Sequence, residues 1–145
     1  MFTLFHHGSS VCAAKVRFAM AEKRLTWDGV YIDILKGEQF APDYLKINPK
    51  AVVPTLVDGE TVVYESTVIC EYVEDKFQTV PIRPVASAER AEVMYWTKVV
   101  DEDLHLACGA LSFMAMGCRR RFTSANRPPP TSERWRRTPG QRYSC

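Results

Sequence analysis

The last 28 residues of this 145-residue chain contain no Leu, Ile, Val or Met. A stretch without aliphatic side chains has little to bury, and Pro128-Pro129-Pro130 forbids helix there, so residues 118–145 cannot supply a core. The five cysteines, Cys12, Cys70, Cys108, Cys118 and Cys145, are odd in number and lack any CxxC spacing. That argues against a disulfide scaffold and against a structural zinc site, and fits a reducing cytoplasm. The amino terminus has no basic region followed by an apolar run, and no segment nears the ~18 apolar residues that a membrane helix needs. Secretion and membrane spanning are therefore not expected.

What the chain does have is unevenly distributed. Residues 1–117 hold 11 Lys and Arg against 16 Asp and Glu, whereas residues 118–145 hold 8 Arg against one Glu. The first part is acidic and periodic; the second is basic and aperiodic. No internal repeat and no low-complexity segment precedes residue 118. Phe2 to His6 reads as a strand that turns at Gly8, and Ser9 or Ser10 then caps a helix to about Lys23. Val11, Cys12, Val16, Ala19 and Met20 mark its apolar face. Trp27 to Ile34 alternates as a second strand, and a loop with a short helix over Pro42 to Ile47 ends at Asn48-Pro49.

Val52 to Val57, the turn Asp58-Gly59 and Thr61 to Tyr64 predict a hairpin. Glu65-Ser66 opens a helix to about Phe77 with Val68, Ile69, Tyr72 and Val73 inward. After a linker at residues 80–86, Ser87 is the expected cap of a long helix running through Leu104 toward Met116. The order over residues 1–79 is βαβαββα, an α/β class.

The start of the first helix carries the clearest chemistry. A helix N-terminus has unpaired N–H groups and roughly half a positive charge, which favours an anion such as a thiolate. Ser9 and Cys12, three apart, face the same spot. The βαβαββα order, Ser9 three before Cys12, Val53-Pro54-Thr55 and Glu65-Ser66 together resemble the thioredoxin-like domain of cytosolic glutathione transferases. Gly8-Ser9-Ser10-Val11-Cys12 looks most like the serine-type branches: theta, delta, zeta and many bacterial members.

The resemblance implies glutathione as co-substrate, with no prosthetic group and no metal. It implies that Ser9, with Ser10 and Cys12 beside it, handles sulfur. A thiol near pKa 8.5 is only a few per cent thiolate at neutral pH. Lowering that by about 2 units takes roughly 2.7 kcal/mol, within reach of a charge-assisted hydrogen bond plus a helix start. By the same resemblance Val53-Pro54 is a cis-proline turn whose Val53 backbone pairs with the cysteinyl part of glutathione. Ser66 takes the γ-glutamyl carboxylate and Glu65 orients the ammonium group. Lys36, Gln39 and Lys50 approach the glycyl carboxylate, with Lys50 preferred. Capping alone also explains Ser9, Ser10 and Ser66, and adjacent His6 and His7 diverge in a strand and receive no role.

Three functions compete on this reading. The first is a glutathione transferase in which Ser9 stabilises the thiolate for attack on a small electrophile. The second is a thiol-disulfide oxidoreductase using Cys12 as nucleophile. The third is a glutathione-binding or protein-interaction module without turnover, because residues 87–117 correspond to only the first helix of the family's second domain, whose interface implies a homodimer. Asp101-Glu102-Asp103 reads as a solvated helix face. The arginines of residues 118–145 give non-specific attraction to phosphates and no recognisable nucleic-acid module. The break near Gly117 resembles translation in a shifted frame; if neither other frame of the coding DNA yields amphipathic helices, that explanation fails and the tail is genuine and disordered.

Overall fold

Phe2 and Leu4 are buried along β1 (Phe2–His6) while Thr3 and Phe5 point the other way, and that alternation decides which helix covers which face. The computed structural model describes residues 1–115. β1 pairs in parallel with β2 (Trp27–Tyr31) and antiparallel with β3 (Thr55–Asp58). β3 in turn pairs with β4 (Thr61–Tyr64), so the strand order is β2-β1-β3-β4. Helices α1 (Val11–Glu22) and α3 (Ser66–Lys76) pack together on the Phe2 and Leu4 face. The core there is Phe2, Leu4, Val16, Met20, Leu56, Ile69 and Val73. Full burial of each such aliphatic side chain stabilises by about 1.5–3 kcal/mol. Helix α2 (Pro42–Ile47) belongs to the opposite face, where Tyr44 meets the Phe5 ring at a centroid distance of 5.6 Å. This is the expected thioredoxin-like βαβαββα order.

Several expectations about faces and boundaries are corrected. Val11 was assigned inward but is 66% exposed, and Val68 likewise is 52% exposed. At about 100° per residue, Val11 lies opposite the buried Ala13, Val16 and Met20, and Val68 is turned about 100° from Ile69 and about 140° from Val73, off the buried face. The second strand stops at Tyr31 rather than Ile34, and because β2 is an edge strand its Val30 and Tyr31 are exposed. The third strand starts only at Thr55, and the hairpin loop is Gly59–Glu60, one residue later than expected, with positive φ at the glycine. Ala86, not Ser87, is the N-cap of α4 (Ser87–Val99); Ala86 is still extended and its carbonyl accepts from the Arg90 N–H.

The expected single helix over 87–117 is divided into α4, a π-helical turn at Val100–Leu104, and α5 (His105–Ala115). The chain forms two compact units, Met1–Val100 and one beginning at Asp101. The expected tail, 118–145, lies outside the described residues.

Candidate functional site

Strand register gathers the sequence-predicted residues. Phe5 is paired with Thr55, and Thr55 with Tyr64, while His6 is paired with Tyr31. The β1–α1 turn with Ser9 and Ser10, the Val53-Pro54 turn, the Glu65-Ser66 start of α3, and the loop after β2 therefore all leave the sheet at one end. Both α1 and α3 present their N-termini there, so the end has a positive backbone potential suited to anions.

At the first turn the two serines have separate tasks. Ser10 is the N-cap: its hydroxyl accepts from the Ala13 N–H at 3.2 Å. The Ser9 hydroxyl instead lies 2.9 Å from Nδ1 of His7, a ring only 4% exposed. Arg17, in the second turn of α1, donates to the carbonyls of His7 and Gly8, each at 3.3 Å, and so ties the turn down. Cys12 is half-buried in the first turn of α1.

The Val53–Pro54 bond is cis, as the family pattern implied. The turn is held by a polar group that pattern reading missed. Tyr44 Oη donates to the Val52 carbonyl at 2.6 Å and lies 3.0 Å from Thr55 Oγ1. Asn48 Nδ2 donates to the same carbonyl at 2.9 Å and to Thr55 Oγ1 at 2.8 Å, while Asn48 Oδ1 accepts from the Lys50 N–H at 3.0 Å. Asn48 and Thr55 are fully buried, and burial pushes the Tyr44 hydroxyl's pKa upward. Asn48 had been read only as a helix stop.

Lys50 and Glu65 are joined in an ion pair, so the cation expected at one end of the ligand and the carboxylate expected at the other touch each other here. Ser66 is the first residue of α3 and is buried. Lys36 is an exposed ammonium 3.1 Å from Asp33, and its hydrogen bond to that carboxylate holds Asp33 below its usual pKa. Gln39 turns its amide toward the Ile34 carbonyl at 3.4 Å, leaving its Oε1 buried without a hydrogen-bond partner among the described residues. Among the described residues no group of His, Cys, Asp and Glu is arranged to hold a metal ion, and no helix is long and apolar enough to cross a membrane.

Comparison with known proteins identifies the domain. Residues 9–76 match the glutathione S-transferase N-terminal domain. A zeta-class glutathione S-transferase from Euphorbia esula is 43% identical over 88 residues, 61% of this chain and 39% of that protein. The crystal structure of the β-etherase LigF from Sphingobium sp. strain SYK-6 is 41% identical with a TM-score of 0.67, covering 70% of this chain and 42% of that one. A glutathione transferase homologue from Sulfitobacter, solved with bound glutathione, is 25% identical with a TM-score of 0.73 over 87% of this chain and 59% of that one. The chain spans about two fifths of the length of the first curated relatives it matches. The segment that carries the cis-proline turn and both helix N-termini therefore matches the thioredoxin-like N-terminal domain of the glutathione S-transferase family.

Proposed function

We propose that this protein binds glutathione at the shared sheet end and that Ser9 stabilises the glutathione thiolate for attack on a small electrophile. The observation that carries the reading is the register Phe5–Thr55–Tyr64, which sets the Ser9 turn, the Val53 backbone and the Glu65-Ser66 helix start side by side. The helix start at Ser66 receives the γ-glutamyl carboxylate, Glu65 the ammonium, Val53 the cysteinyl backbone, and Lys50 with Gln39 and Lys36 the glycyl end. Residues 1–79 form this glutathione domain, 80–86 a linker, and 87–117 the start of a second domain.

Isothermal titration with glutathione, alongside conjugation of an aryl halide, tests the proposal. Replacing Ser9 by Ala removes the hydroxyl and is expected to lower the conjugation rate about a hundredfold, the equivalent of about 2 pKa units, while glutathione affinity changes less than threefold. Equal rates for wild type and Ser9→Ala would sink the Ser9 assignment. Tight binding with no turnover by the wild type would make the chain a binding module.

A further inference from the structure

His7 sits against Ser9, and the chemistry above gives it no task. Its Nδ1 is 2.9 Å from Ser9 Oγ and 3.3 Å from the Ser9 main-chain nitrogen. An N–H can only donate, so Nδ1 must be the bare nitrogen of the ring, and the imidazole proton sits on Nε2. Nε2 faces Asp33 Oδ1 at 3.9 Å. Asp33 is kept as a carboxylate by Lys36 and by the N–H groups of Leu35 and Lys36. The Ser9 hydroxyl owns a single proton, and this geometry directs it at His7. An arriving thiol therefore meets an acceptor oxygen, not a donor.

We propose that His7 is a positioning residue for Ser9 which, through the Ser9 hydroxyl, takes up the proton that glutathione's thiol gives up. The inference rests on the reading of this sheet end as a glutathione site. The thiol S–H bond breaks and its proton passes to Ser9 Oγ; the proton that Ser9 held passes to His7 Nδ1. The products are a thiolate, a Ser9 hydroxyl whose proton now points at sulfur, and an imidazolium with Nδ1–H on Ser9 Oγ and Nε2–H toward Asp33. One proton has moved, no electrons have, and no co-reactant is needed. The relay thus turns Ser9 from acceptor to donor at the moment the anion forms.

The transfer leaves a negative charge on sulfur and a positive one on the His7 ring. The Asp33 carboxylate beside Nε2 and the attraction between thiolate and imidazolium across one hydroxyl act in its favour. The other groups around His7 are the Tyr31 ring at 5.1 Å, Lys36 behind Asp33, Arg17 on the His7 carbonyl, and His6, whose Nδ1 is 3.4 Å from Arg17. Arg17 and Lys36 work against a second positive charge, and Asp33 is the carboxylate that offsets them.

The test follows the proton on the wild-type chain. Calorimetric titration with glutathione in buffers of different ionisation heat gives the protons released per complex, and absorbance near 240 nm gives the thiolate formed. Retention on His7 predicts well under half a proton released per thiolate at neutral pH, and about one per thiolate in His7→Asn, which can accept from Ser9 but cannot be protonated. The bound thiol's titration midpoint should also rise by about one unit in His7→Asn, a tenfold loss of thiolate below the midpoint. If His7→Asn does not fold, Asp33→Asn serves, with a rise in the same direction. One proton released per thiolate in the wild type, or an unchanged midpoint in the variant, overturns the relay while leaving glutathione binding intact. No glutathione binding by the wild type overturns the functional reading and the relay together.

Discussion

Glu65 adopts φ 67° and ψ 123°, a backbone setting that favours glycine, at the head of the helix assigned to the γ-glutamyl group. Such a non-glycine residue costs on the order of 1–3 kcal/mol, which the rest of the domain must offset. Glu65→Gly should therefore be more stable than Glu65→Ala by about 1 kcal/mol, the reverse of their order in an ordinary helix, while both lose about tenfold in glutathione affinity. Urea unfolding and calorimetry of the pair check both halves. Arg24 has φ 55° just past the end of α1, where Leu25 N–H returns to the Met20 carbonyl. Arg24→Gly should stabilise by about 1 kcal/mol. At this scale the cis Val53–Pro54 turn and the helix start at Ser66 were legible because their order and spacing form a family pattern. His7 was not: two adjacent histidines, one ending the strand and one beyond it, carry no periodic signal, and its use depends on where the turn brings Ser9. Asn48 and Arg17 were missed for the same reason, since their partners are set by the folded turns.

α1 and α3 are joined by more than their apolar faces. Lys23, the C-cap of α1, forms a buried ion pair with Glu74 of α3 and also donates to the Val80 carbonyl at 2.8 Å, while Glu74 accepts from the Ile82 N–H at 3.2 Å. Two helices and the segment after them share one polar clamp. Removing one partner strands the other's charge, so Lys23→Ala should cost about 3 kcal/mol, whereas Lys23→Met with Glu74→Leu should recover most of it. Denaturant midpoints of the three chains decide the matter. The helices were readable from their apolar spacing, but Lys23 and Glu74 look like surface charges in a linear sequence. Burial of the right faces was only half readable, because a run such as Val68-Ile69 is apolar on two sides of a helix and only packing selects one.

Across the whole molecule, several groups tie stability to acid: Lys36 holds Asp33 low, and burial with Arg17 holds His6 low. Lys76 and Tyr72 hold Asp58 below its ordinary 3.8; burial would raise Glu74 above 4.5, but Lys23 and the Ile82 N–H outweigh it and leave it lowered. A lowered folded pKa means the contribution is complete above the unfolded value and is lost as pH falls through the folded one. Stability should begin to fall as pH drops below the ordinary histidine value of 6.5 and decline further below 4.5, and Asp58→Asn should flatten the lower part of that decline in a denaturant series across pH. The βαβαββα order was legible because alternation, helical spacing and an Asp-Gly turn agreed. The division near Asp101 was not, as the helical spacing runs on through Leu104 without a glycine or proline to mark it. The strand register also gives the domain a handling end. Phe2, Asp58 and Thr61 are aligned at the far edge of the sheet, so the Gly59–Glu60 loop lies a full strand length from Ser9. A fluorophore or affinity tag inserted there should leave glutathione titrations unchanged, making that loop the natural place from which to immobilise the protein and watch its working end.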